Sequence, residues 1–273
     1  MDATAEFYDG LAGDYHLVYA DWEASVRRQA TALDRIIRQH AGESARRVLD
    51  CTCGIGTQAI GLAALGYTVT GTDLSPRSIA RARAETEKRG LDARFEVADL
   101  RTLNVPGEPF DVVLSADNAL PHLLSAADLT GGLRRMIAHL RPGGLLIASI
   151  RDYDAILEDP PAATSPVVTG ESGRRRVTFQ LWHWDPDGRT YDLELFVLRE
   201  EPAGGWQADV HRARYRALRR EELGERLREL GMIRVRWILP ESSGFFQAVV
   251  LAVRPDGIGA SGDESRRIGP NAR

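Results

Sequence analysis

At 273 residues the chain is long enough for one large α/β domain, or for one domain carrying an inserted lobe. A hydrophobic content of 43%, a charged content of 27%, a net charge of −4 and a pI near 5.9 describe an ordinary folded protein and argue against nucleic-acid or membrane-surface partners. No apolar run reaches the ~18–20 residues of a membrane span, the opening Met1-Asp2-Ala3-Thr4-Ala5-Glu6 lacks the regions of a signal peptide, and two cysteines exclude a disulfide framework, so a reducing cytoplasm is the expected compartment.

Residues 1–22 are dense in aromatic residues (Tyr8, Tyr15, Tyr19, Trp22, with His16) and precede any periodic segment. Helical spacing then runs through Val26, Ala30, Leu33, Ile36 and Ile37. Arg47–Asp50 reads as a short buried strand ending in an acid, followed by a turn with two glycines and a helix that Gly66 stops. Tyr67–Asp73 is a second strand with an acidic end. Ser75 as N-cap and Pro76 at the first position open the next helix, which ends near Gly90. Arg94–Asp99 and Phe110–Leu114 are further strands, Leu129–Leu140 is an amphipathic helix, and Arg141-Pro142-Gly143-Gly144 breaks it. Leu145–Ile150 is apolar enough to be a strand buried on both faces.

Beyond residue 150 the character changes. Val177–Trp184 and Thr190–Arg199 form a hairpin around Asp185-Pro186-Asp187-Gly188. Trp206–Tyr215 is a strand, Glu221–Leu230 a helix closed by Gly231, and Ile233–Leu239 and Phe245–Arg254 are the last strands. Gly, Ser and charge dominate from Pro255, where disorder is expected. The chain thus divides into an N-terminal lid and helix (1–45), an α/β core with a doubly wound parallel sheet (46–157), an antiparallel cap (158–232), final core strands (233–254) and a tail (255–273).

The loop after the first strand carries the chemistry. Its glycines allow backbone to approach a ligand, and the following helix offers free N–H groups. Asp73 stands where a ribose would be held. Gly54-Ile55-Gly56-Thr57-Gln58-Ala59 also fits the dinucleotide pattern G-x-G-x-x-[GA], a weak match alone. Three features lead away from a nicotinamide cofactor: Asp50 before the turn, a third strand ending in Asp99, and closing antiparallel strands. Cys51 and Cys53 supply half a zinc site at most, and packing within the loop is the plainer reading; no metal is expected.

As a set, residues 46–150 resemble the Rossmann-like cofactor frame of class I S-adenosylmethionine-dependent methyltransferases. The resemblance implies S-adenosylmethionine as cofactor and S-adenosylhomocysteine as product. It implies that Gly54 and Gly56 admit the methionine portion, that Asp73 accepts the ribose hydroxyls, and that Asp99 with the Leu100 N–H holds adenine. Strand-end capping is the alternative for both acids. Asp50, Cys53, Leu74 and Ala116 complete the implied cofactor set, while Thr52 departs from the usual first glycine.

Three further runs look like the glycine/sarcosine N-methyltransferase branch: Tyr15–Asp21, the Asn118-x-x-x-His122-Leu123 element, and Arg151-Asp152-Tyr153-Asp154. By that likeness Arg151 is a bidentate clamp on an acceptor carboxylate, Asn118 a positioning group and Tyr153 a substrate contact. The alternative for Arg151 is a pair with Asp152 or Asp154. His122 is either a catalytic base or structural. Arg28 meets the cofactor carboxylate or belongs to a solvated face. Tyr15, also a catalytic candidate, and Trp22 cover the cofactor or pack in the core. On the cap, Gln180, His183, Tyr191, His211, Tyr215 and Phe246 compete to roof the acceptor pocket, and the arginines between Arg212 and Arg236 read as a solvated face. The expected activity is in-line methyl transfer to the nitrogen of a small amine, one bearing a carboxylate. The alternatives are a small-molecule O-methyltransferase of specialised metabolism, with His122 or His16 as base, and a non-catalytic cofactor-binding protein.

Overall fold

The structure, a computed structural model, describes residues 2–256 apart from 172, 173 and 203. Residues 257–273, nearly all of the tail read as disordered, lie outside the described residues. In chain order the first half comprises α1 (Ala3–Leu11), α2 (Trp22–Ala41), β1 (Arg47–Asp50), α3 (Thr57–Ala64), β2 (Thr68–Asp73), α4 (Pro76–Lys88), β3 (Ala93–Val97), β4 (Phe110–Ser115), α5 (Ala126–His139), β5 (Leu140–Ile150) and α6 (Tyr153–Ile156). The second half comprises β6 (Val167–Thr169), β7 (Arg176–Trp184), β8 (Thr190–Glu200), β9 (Trp206–Arg216), α7 (Arg220–Glu229), β10 (Ile233–Ile238), α8 (Pro240–Ser243) and β11 (Ala248–Val253).

One seven-stranded sheet runs in the order β3-β2-β1-β4-β5-β11-β10, parallel except for β11, which pairs antiparallel with both β5 and β10. A separate antiparallel sheet, β6-β7-β8-β9, forms the cap. The expected doubly wound core with an antiparallel cap is therefore the observed architecture. The central strands alternate nothing and bury everything, Val48, Leu49, Val112 and Val113 being wholly inaccessible, because helices cover both faces. On one face α2 contributes Val26, Leu33, Ile36 and Ile37; on the other α5 contributes Leu129, Leu133 and Met136, and α7 adds Leu223 and Leu227. The chain reverses winding direction at β1, between β2 and β4, which opens a crevice at the strands' carboxyl ends.

Three stretches depart from the sequence reading. The aromatic opening contains a helix, α1, capped by Asp2, whose carboxylate accepts from the Thr4 N–H at 2.9 Å. The Arg141-Pro142-Gly143-Gly144 run lies inside β5 as a bulge, with Gly143 at φ +69° and its N–H donating to Arg254 O at 3.0 Å. The final strand spans only Ala248–Val253 of the expected Phe245–Arg254, since the turn after α8, with Gly244 at φ +70°, sends Phe245 into the core before pairing begins. No helix among the described residues is long and apolar enough to cross a membrane.

The close contact of α2 with α3 rests on Gly61, where an added Cβ would lie 2.7 Å from Ala30 Cβ and 2.9 Å from Val26 O. Alanine gains ~1 kcal/mol of helix propensity at such a position. Overpacking against backbone outweighs that gain, so Gly61→Ala should lower unfolding free energy by roughly 1–3 kcal/mol in urea titrations. An unchanged midpoint would refute the packing argument.

Candidate active site

A cleft opens along the carboxyl ends of β1–β4 and is closed from above by α1 and the segment after it. Its floor is the loop 51–54. Gly54 adopts φ +53°, and a Cβ there would meet nothing within 4 Å, so the loop backbone faces open space. Asp73, at the end of β2, accepts from the Gly54 N–H and the Ser75 N–H, each at 2.9 Å. Burial raises its carboxyl pKa, and these backbone donors pull against that rise. Asp99 follows β3 and is gripped by Arg101, whose Nε donates to both carboxylate oxygens at 3.0 and 2.9 Å. The same guanidinium reaches Asp2 at 2.7 Å, tying α1 to the cleft wall. Asp9 supplies a second tie, accepting from Ser75 Oγ at 2.5 Å and from the Arg77 N–H at 3.0 Å.

Behind this cleft lies a second cavity of about 450 Å³ between α1, α2, the 117–118 loop and the cap. The two spaces share Tyr8, Tyr15 and Asp117 in their walls. Arg151 and Arg28 are the cations in the wall of this cavity, and Arg151 stands on the cap side. Its guanidinium donates to Tyr191 Oη at 2.9 Å and to Gln180 Oε1 at 3.3 Å, and lies 4.7 Å from the Trp182 ring centroid. Asp152 and Asp154, the alternative partners in sequence, are taken by Arg220. Arg151 therefore has no carboxylate partner among the described residues. Asn118 holds it in place. Its Oδ1 accepts from the Arg151 N–H at 3.1 Å, and its Nδ2 donates to Tyr153 Oη at 3.0 Å.

Residues 48–144 match the methyltransferase-domain family Methyltransf_25. The chain is 33% identical over 190 residues to a glycine/sarcosine N-methyltransferase of Parasynechococcus marenigrum, spanning 66% of either chain. The chain belongs to the class I S-adenosylmethionine-dependent methyltransferases. It is also 40% identical over 103 residues to a ubiquinone biosynthesis O-methyltransferase of Methylocella silvestris, a match covering 38% of this chain and 39% of the relative. Among solved structures it is similar to an S-adenosylmethionine-bound amino pentose methyltransferase, CalS10, from Micromonospora echinaspora, with TM-score 0.68, 24% identity and coverage of 84% and 92%. The cofactor of this methyltransferase is S-adenosylmethionine, and the cleft fits it: open space over Gly54, an acid at the end of β2 and a second acid after β3.

The methyltransferase frame brings Tyr15, Cys53, Gly54, Asp73, Leu74, Asp99, Leu100, Ala116 and His122 together in one cleft wall. Five expected site residues are placed otherwise, Asp50, beneath the loop, among them. Trp22 is a core residue, its indole N–H donating to Thr57 Oγ1 at 2.9 Å while Arg81 and Arg89 cover its ring. Gly56 caps α3 at φ +93° and faces Ile60, whose Cδ1 would lie 2.8 Å from a Cβ, so its conformation and packing explain it. Arg28 lines the second cavity rather than the cleft and donates to Ser25 Oγ at 2.9 Å. Tyr153 is fully buried behind Asn118 and touches neither space.

His122 reaches the cleft and is enclosed there. Its Nε2 lies 2.9 Å from Tyr8 Oη, its ring packs 4.0 Å from that of Tyr215, and burial pushes its pKa down to about 3. A ring that binds a proton so weakly stays neutral and removes protons poorly. Of the cap candidates, Gln180, Tyr215 and Phe246 face the second cavity. Tyr191 stands one layer behind, His183 pairs outward with Glu194 at 3.2 Å, and His211 packs on Phe7. Tyr8, Arg101 and Asp117 have no assigned role in the sequence reading: Tyr8 stands there only among the N-terminal aromatic residues, and Asp117 only as the neighbour of Asn118.

Asp50 sits beneath the loop, fully inaccessible, with one oxygen accepting from the Thr52 N–H at 3.3 Å and the other without a partner. Burial lifts its pKa from 3.8 to about 7. The folded state keeps this proton where the unfolded chain has lost it. The contribution is complete below the unfolded pKa and drains away as pH rises toward 7. Asp50→Asn should therefore reduce the loss of unfolding free energy between pH 5 and 8 by on the order of 2–3 kcal/mol. Parallel pH profiles for the two proteins would show that Asp50 is not the titrating group.

Proposed function

We propose that this methyltransferase moves a methyl group to the nitrogen of a small amine that also carries a carboxylate. The observation that carries the reading is Arg151. It presents a permanent positive charge to the acceptor cavity while its protein partners are a phenol, an amide and aromatic faces. A cation so held is matched by an anionic group on a ligand, and a guanidinium binds a carboxylate with two parallel hydrogen bonds.

In this reading Asp73 receives the cofactor ribose, the Asp99–Leu100 turn receives adenine, and the backbone at Cys53–Gly54 receives the methionine portion. When bound, S-adenosylmethionine supplies an electrophilic methyl group on a sulfonium. The protein's part is alignment. Arg151 sets one end of the acceptor, Asn118 fixes Arg151, and Tyr8 and Tyr15 stand where the two spaces meet. Proximity and orientation of this kind supply about 7–11 kcal/mol of a barrier. A neutral amine needs no strong base, whereas a hydroxyl acceptor does, and His122 is too weak for that task. Acceptors of this class fit small-molecule specialised metabolism.

Replacement of Arg151 by alanine should raise the acceptor KM on the order of 100-fold and leave the S-adenosylmethionine Kd within about threefold. Equal losses of both would remove the clamp role. Asp73→Ala should do the converse, weakening cofactor binding by calorimetry roughly tenfold or more. His122→Gln should retain kcat within about tenfold, and a drop of a thousandfold would restore the histidine as base.

A further inference from the structure

Asp117 belongs to no element of the sequence reading, yet it occupies the junction of the site. It lines the cofactor cleft, the acceptor cavity and a third opening beside Pro240 and Phe246. It is the acidic residue in the acceptor cavity wall, and among the described residues it has no cationic partner. Tyr15 Oη and Tyr19 Oη donate to its Oδ2 at 3.1 and 2.7 Å, and Gln247 Nε2 approaches Oδ1 at 3.4 Å. Its own N–H donates to Ser149 Oγ, which in turn donates to Gln247 Oε1, both at 2.9 Å. Asp117 and Asn118 adopt φ +57° and +64°, a left-handed pair without glycine. Such a backbone persists only where its surroundings over-determine it. The fold thus spends strain and three neutral donors on aiming one carboxylate at the place where donor and acceptor meet.

We propose that Asp117 is the group that selects an amine acceptor, taking an N–H of the attacking nitrogen and facing the positive charge that develops there. The inference rests on the N-methylation reading above and adds the second anchor: with Arg151 on the carboxylate and Asp117 on the amine, the cavity is complementary to an amino-acid-like acceptor. The chemistry balances. The acceptor enters as the neutral amine, its ammonium proton having passed to water. The nitrogen lone pair forms the new N–C bond, the C–S bond breaks, and its electron pair stays on sulfur as a neutral thioether. The positive charge moves from sulfur to nitrogen, and the surplus proton then leaves to water. Asp117 is in the wall of both spaces, so the charge remains beside a carboxylate throughout. A hydroxyl acceptor could also donate its O–H to that carboxylate, but its methylated oxygen ends neutral, so only the amine reaction leaves a positive charge facing Asp117.

Asparagine tolerates the left-handed backbone, so Asp117→Asn removes the charge while keeping the shape. The test uses the full chain and a panel of α-amino acids, amino sugars and other primary amines, with the matching hydroxy compounds. Turnover is read as S-adenosylhomocysteine release. Binding of the best amine to S-adenosylhomocysteine-loaded protein is measured by calorimetry, with the S-adenosylmethionine Kd as control. For Asp117→Asn we expect kcat/KM for the best amine to fall about 10- to 100-fold, its Kd to weaken tenfold or more, and the cofactor Kd to stay within threefold. Any activity on the hydroxy compounds should fall less than activity on the amine. If the variant binds and methylates the amine within threefold of the wild type, Asp117 is not the selector, and the N-methylation reading stands. If the wild type turns over hydroxy compounds alone, or no amine at all, that reading falls and takes this inference with it. A parallel loss of cofactor affinity would assign Asp117 to the architecture of the cleft and overturn the selector role.

Discussion

Four side chains close a ring of hydrogen bonds behind the acceptor cavity: Asn118 to Tyr153, Tyr153 to Tyr191, Tyr191 to Arg151, and the Arg151 backbone back to Asn118. The position of Arg151 depends on it. Within a low-dielectric interior such a ring is worth having only when every member is satisfied, since each orphaned group would carry its full desolvation cost. Here the ring links the loop after β4, the end of β5 and the middle strand of the cap. The guanidinium is consequently held by the cap and the core together, and neither sheet alone would place it.

The cap contributes a second kind of order. Trp182, Tyr191 and Tyr215 stack across neighbouring strands, with centroid separations of 4.7 and 5.4 Å and interplanar angles of 9° and 11°. His122 ends the column against Tyr215. Rings at this spacing are favourable packing in themselves, and Arg151 lies over two of them, which stabilises its charge without neutralising it. This is how a cation can be fixed in a cavity wall and still be left for a ligand.

Much of the frame was legible in the sequence because it is local. Asp50, Asp73 and Asp99 each close a segment that reads as a strand, Ser75-Pro76 announces a helix start, and Asp-Gly chemistry announces the hairpin. What could not be read depends on contacts far apart in the chain. Helix α1 is nine residues long, and Phe7 and Leu11 find their apolar partners on cap strands nearly two hundred residues later. Gly10 faces His211, 3.1 Å from where a Cβ would stand, for the same reason. Arg151 has acids next to it in sequence, yet a distant Arg220 removes them. For Trp22 the sequence leaves cofactor cover and core packing both open, and its bond to Thr57 decides for packing, bracing the loop from behind.

Helix α1 has a consequence beyond its shape. Asp2, Thr4 and Tyr8 face the cofactor cleft, while Phe7, Tyr8 and Leu11 face the acceptor cavity, so one short helix is a shared wall of both. Any displacement of α1 alters both walls at once, so neither space can open along this side without the other.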